Sequence, residues 1–153
     1  LSPTAEARAE DAFSRLAQVE AEAHGVDVAA IHFHEVGAVD TLVDVAGAFW
    51  ALEALGITDV VCAPLPWFTG FVRCEHGLLP LPAPAVLRLY AGKPVFYAKV
   101  EEEIVTPTGA LLIDRLATRF AAGPEGTVVA QTTAFGSREI PAAPWGLRCV
   151  LLA

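Results

Sequence analysis

Methionine is missing from the 153 residues altogether, and the chain opens on Leu1-Ser2-Pro3, which suggests a portion of a longer polypeptide. Charge is scarce: Asp, Glu, Lys and Arg make up 18% of the residues while 54% are hydrophobic, against about 25% charged in an ordinary soluble domain. With a mean hydropathy of +0.49, part of the surface is expected to be hidden against another domain or a second copy of the chain. Basic residues are the rarer sign, 10 against 18 acidic ones, for a net charge of −8. No basic stripe exists, which argues against a nucleic-acid partner but leaves room for a phosphorylated small molecule held by a few local cations. The longest apolar run, 45–52, is bounded by Asp44 and Glu53 and falls well short of the ~20 residues that cross a membrane. The acidic, alanine-rich start does not resemble a signal peptide. Three cysteines (Cys62, Cys74, Cys149) with no CxxC pair fit reduced thiols in a cytoplasm better than a disulfide framework. Walker A, GxSxG and GxGxxG patterns are all lacking.

What is present concentrates in one stretch. His32, His34, Glu35, Asp40 and Asp44 lie close together in an otherwise aliphatic region. If the segment through Val36 is extended, alternation sends His32 and His34 to one face. If a helix follows, Asp40 and Asp44 stand one turn apart on a shared face. Imidazole nitrogens beside carboxylate oxygens suit a divalent transition metal, and both rings of such a pair reach one ion at about 2.0–2.1 Å. Glu35, Asp40 and Asp44 add hard ligands or partners that orient the imidazoles. The plainer alternatives are polar residues on an exposed edge strand and carboxylates that merely complement a helix dipole.

At this length one domain, 1–153, is expected. Ser2-Pro3 has the form of an N-cap and first helical residue, and strong helix formers with Phe13, Leu16, Val19 and Ala23 on one side predict a helix over 3–24, closed by Gly25. A strand is expected over 28–35, then a helix over 38–55 that is apolar almost all round and so buried on more than one side. Further strands are expected at 59–65, 71–75, 78–81, 93–100, 127–135 and 147–152, with helices at 83–91 and 108–120. The middle of that order, β-α-β-β-α-β, matches a split βαβ unit, so the fold class is α+β, a mixed sheet with helices packed on it.

Outside the first stretch, Cys74-Glu75-His76-Gly77 offers an imidazole ahead of a turn glycine. Thr106-Pro107-Thr108-Gly109 opens a helix with hydroxyls and free N–H groups, a setting for phosphate or carboxylate or for simple capping. Arg138 could grip such an anion in bidentate fashion, or be an exposed loop arginine. On these residues alone, a metal-dependent hydrolase working through His32 and His34 and a non-catalytic scaffold or oligomerisation domain are both open.

The run from His32-Phe33-His34-Glu35-Val36-Gly37 to Asp40-Thr41-Leu42-Val43-Asp44 closely resembles the signature of the LarC-type nickel-insertion proteins of nickel-pincer cofactor biosynthesis. The resemblance continues, in order, through His76-Gly77-Leu78-Leu79-Pro80-Leu81-Pro82-Ala83-Pro84-Ala85 and Ile104-Val105-Thr106-Pro107-Thr108-Gly109-Ala110. Ala134-Phe135-Gly136-Ser137-Arg138 is a looser version of the family's glycine-rich segment, one glycine being replaced. The resemblance implies a nickel chelatase of the lyase class that inserts nickel(II) into pyridinium-3,5-bisthiocarboxylic acid mononucleotide for lactate racemase-type enzymes. It implies use of CTP with a divalent cation such as Mg or Mn by a part of the protein C-terminal to this one. These 153 residues would be the central portion, with the amino- and carboxy-terminal parts of the same protein as partners and self-association as a further expectation. Under it, His32, His34, Glu35, Asp40 and His76 handle the metal, and Thr106, Thr108, Gly109 and Arg138 hold the mononucleotide.

Overall fold

A computed structural model describes residues 1–30, 39–74, 77–143 and 146–153. Its first element, α1 (Pro3–His24), is fixed at both ends. The Ser2 hydroxyl accepts from the Ala5 N–H at 3.1 Å and donates to the Glu53 carboxylate (2.6 Å to Oε2). Gly25 closes the helix in the left-handed conformation at φ 66°, which glycine adopts without steric cost. Its buried stripe is Ala5, Ala9, Ala12, Leu16 and Val19, alternating at three and four residues. The alanines let neighbouring elements approach closely.

Residues 28–30 form a single 3-10 turn, which replaces the start of the strand expected over 28–35; the remainder of that strand lies outside the described residues. The next helix, α2 (Val39–Ala54), buries only Thr41, Val45 and Phe49. Leu42, Val43 and Trp50 are exposed, so the expectation of burial on more than one side is not met among the described residues. One stripe of α2 packs on the other helices and the rest of its apolar circumference faces outward.

Strand β1 (Val61–Cys62) and strand β2 (Leu65–Trp67) share one extended segment, interrupted at Pro64. Two strands, β3 (Phe71–Cys74) and β4 (Gly77–Pro80), form an antiparallel pair with Cys74 opposite Gly77. Helix α3 (Pro84–Tyr90) follows a cis Leu81-Pro82 bond. Strand β5 (Val95–Tyr97) runs parallel to β2. After helix α4 (Pro107–Leu116), strand β6 (Arg119–Phe120) runs parallel to β1. The chain closes with β7 (Val128–Ala134) antiparallel to β8 (Leu147–Leu152).

The class is therefore α+β, with helices packed on parallel and antiparallel strands that form, among the described residues, four two-stranded pairings. The helix expected over 108–120 stops at Leu116. There Thr118 turns back to the β1 segment: its hydroxyl donates to the Asp59 carboxylate and accepts from the Val60 N–H at 3.0 Å.

Two apolar clusters hold these elements. The larger joins all four helices to β2 through Leu16, Val19, Phe49, Leu65, Leu89 and Leu111, each worth roughly 1.5–3 kcal/mol on full burial. The smaller gathers Phe68, Leu81 and Val100 with Ile104, Val105, Ile140 and Ala143.

Candidate functional site

The smaller cluster is where separated motifs meet. Leu81 comes from the 76–85 motif, Ile104 and Val105 from the 104–110 motif, and Ile140 and Ala143 from the loop that follows Arg138. Val105 also packs against the larger cluster, so the residue before the α4 cap is gripped on both sides. Gly70 makes a close approach possible here. It sits at φ +104°, and a Cβ there would collide with the Glu101 backbone carbonyl. The Thr69 N–H donates to the Val100 carbonyl at 2.9 Å and the Leu81 N–H to the Gly70 carbonyl at 3.0 Å. The segment 98–105 is thereby laced to the β3–β4 pair.

On this platform Thr106 caps α4. Its backbone is extended (φ −81°, ψ 164°), Pro107 takes the first helical turn, and the Thr106 hydroxyl accepts from the Gly109 N–H at 3.2 Å. Thr106 is exposed while Thr108 and Gly109 are half-buried, so the helix start opens to solvent with its positive dipole end outward. Arg138 is committed elsewhere: its guanidinium donates to the Glu103 carbonyl at 2.9 Å and lies 3.7 Å from the Glu103 carboxylate. That pairing fastens the 135–143 loop to the segment entering α4.

The residues expected to handle a metal fare differently. His32, His34, Glu35 and His76 lie outside the described residues. Asp40 sits in the first turn of α2 and accepts from the Thr41 N–H at 2.8 Å; Asp40 and Asp44 are both exposed. No group of three or more metal-capable side chains occurs among the described residues. Burial pushes the Cys62 thiol up from its ordinary value, which favours the protonated form of the free side chain.

The chain also forms a polar knot that motif reading passed over. Asp114, on α4, takes a hydrogen bond from Lys93 at 2.5 Å, another from the Arg115 Nε at 3.0 Å, and lies 3.7 Å from Arg15. Burial works against its charge, yet the hydrogen bonds from Lys93 and Arg115 outweigh it and hold the carboxyl below its usual range. Arg115 reaches Asp11 as well, at 3.1 Å, and the Arg8 guanidinium stacks 4.8 Å from the Phe49 ring centre. Arg8, Asp11, Phe49, Asp114 and Arg115 line an open cleft of about 580 Å³. It lies at the far end of α4 from Thr106, about 12 Å along the helix axis at 1.5 Å per residue. The signal was a charged pair inside an amphipathic helix, with partners far away in sequence.

Comparison with known proteins adds the family context. The model of the nickel insertion protein family matches residues 1–153. A relative from Pelobacter propionicus, whose name assigns it provisionally to nickel insertion, is 46% identical over 151 residues, covering 99% of this chain and 38% of its own length. A similarly named relative from Thermomicrobium roseum is 46% identical over 145 residues, covering 92% of this chain and 35% of its own. One from Desulfitobacterium hafniense, named pyridinium-3,5-bisthiocarboxylic acid mononucleotide nickel insertion protein, is 44% identical over 125 residues, 82% of this chain and 31% of its own. The chain thus spans between 31% and 38% of the length of these three curated relatives. No solved structure matches it significantly.

Proposed function

Because this chain belongs to the nickel insertion protein family, we propose that it is the central part of a longer polypeptide that inserts nickel(II) into pyridinium-3,5-bisthiocarboxylic acid mononucleotide. The product is the nickel-pincer cofactor of lactate racemase-type enzymes. The observation that carries this reading is the family match over residues 1–153, together with 44% identity to a relative named for that substrate. The reaction class is that of a nickel chelatase, a lyase, and CTP with a Mg or Mn ion acts at a part of the polypeptide beyond these residues. Cys62, Cys74 and Cys149 form no disulfide with one another, which fits a reducing cytoplasm.

In this reading nickel is cargo, and the protein has to let it go. Imidazole and carboxylate ligands accept nickel(II) and release it to the carbon and sulfur ligands of the pincer. His32 and His34 are the first holders, with a carboxylate from Glu35 or Asp40, and His76 completes or relays the site. The exposed Asp40 at the start of α2 suits a ligand that meets cargo arriving from solvent. The start of α4 takes the mononucleotide phosphate, with Thr106, Thr108 and Gly109 offering hydroxyls and N–H groups at the positive end of the dipole. Arg138 supports that end through Glu103.

The experiment is nickel incorporation into the purified mononucleotide by the full-length polypeptide supplied with CTP and Mg or Mn. The unaltered protein should form the nickel-pincer product, and His32→Ala with His34→Ala should slow it at least about tenfold. No product from the unaltered protein contradicts the function. Equal rates contradict the site.

A further inference from the structure

The β2–β5 pair is closed on one edge and open on the other. Along β2, the Leu65 N–H donates to the Pro94 carbonyl at 2.8 Å and the Trp67 carbonyl accepts from the Ala98 N–H at 2.8 Å. Pro66, between them, has no N–H to offer on the opposite edge, and its carbonyl there is taken by the Tyr90 hydroxyl at 3.3 Å. That edge of β2 is finished. On β5, Pro94 and Ala98 point their bonding groups at β2, so backbone alternation turns the N–H and C=O of Val95 and Tyr97 the other way. No strand pairs with them among the described residues.

The side chains are wrong for a permanent edge. Parallel strands are normally buried on both faces and read as continuous apolar runs. Val95, Phe96 and Tyr97 read that way, yet they are 46%, 51% and 59% exposed, with Trp67 beside them at 38%. Finished proteins protect open edges with charge, proline or a bulge. Within β5 there is none of these, and the nearby Lys93 is spent on Asp114. Both facts are those of an interior strand lacking its neighbour.

We propose that the open edge of β5 receives a β-strand from the same polypeptide outside these 153 residues, which pairs with Val95 and Tyr97 and covers Phe96, Tyr97 and Trp67. The intramolecular occupant is favoured because the curated relatives devote 62% of their length or more to other sequence, the matched share being 38% at most in the three described above. A strand contributed in cis is always present, so the apolar edge needs no protection of its own. This inference rests on the chain being part of a longer polypeptide and not on nickel chemistry, so it stands or falls separately from the insertion assay.

Backbone amide exchange in the full-length polypeptide tests it, read at Val95 and Tyr97 across a 100-fold range of protein concentration. The expected result is protection of both amides by at least about 100-fold over unstructured peptide, unchanged on dilution. Exchange at the rate of an open edge overturns the proposal. Protection that disappears on dilution also overturns it, because the occupant would then be a second copy.

Discussion

Asp114 joins α4 to Lys93 and to Arg15 of α1 through its carboxylate. Its side chain is 10% exposed and meets Lys93, Arg115 and Arg15. Because its folded carboxyl sits below the usual range, the stabilisation is fully present above the unfolded value of about 3.9 and is lost as pH falls through the folded one. Asp114→Asn should lower stability at pH 7 by about 1.5–3 kcal/mol, the range for hydrogen bonds to charged groups. Urea titrations should find that gap closing as pH falls through the folded-state value. Thr106 makes a smaller, sharper case. Thr106→Ala removes the acceptor of the Gly109 N–H and should cost about 1 kcal/mol, measured by denaturant midpoint, while Thr106→Ser should stay close to the original. Residues of this kind were unevenly legible. The Thr106 cap follows from Thr-Pro-x-Gly at a helix start, but nothing local in the sequence links Asp114 to Lys93, or Arg138 to Glu103.

Elements whose signals are local came through best. Helix α1 occupies the expected 3–24 because Ser2, Pro3 and Gly25 mark its ends without reference to the rest of the chain. Where an end is set by a distant partner, local pattern misleads: Leu112, Leu116 and Phe120 continue a helical spacing, yet Thr118 binds the β1 segment and the chain becomes strand at Arg119. The short parallel pairs depend on registers between residues far apart in sequence, such as Leu65 with Val95, and turn chemistry carries no trace of them. Gly70 is the element-scale test of how the motif segments are assembled. Gly70→Ala adds a Cβ at positive φ against the Glu101 carbonyl and should destabilise by about 1–3 kcal/mol. Thermal melts would register it; an unchanged melting temperature would mean that the close approach is not required. In the larger cluster, Leu111→Ala empties a fully buried position and should cost about 2–5 kcal/mol by chemical denaturation.

At the scale of the whole molecule, the low charge and high apolar content noted first have a structural counterpart. Leu42, Val43 and Trp50 on α2, Phe96 and Tyr97 on β5, and Val128, Phe135 and Leu147 in the last strand pair and its loop are all exposed. The same apolar circumference that suggested deep burial of α2 leaves Leu42, Val43 and Trp50 on the surface. The candidate site is divided in the same way. The start of α4, where the proposal puts the phosphate, rests on a cluster that gathers segments from three regions of the sequence. The proposed metal side draws on His32, His34, Glu35 and His76, which lie outside the described residues. The proposed function would tie the two sides to one chemistry.

Calorimetric titration of nickel(II) into this chain, beside His32→Ala/His34→Ala, goes most directly to that chemistry. The account predicts saturable binding by the unaltered chain and at least about tenfold weaker binding by the double variant. Equal nickel affinity in the two proteins would contradict it.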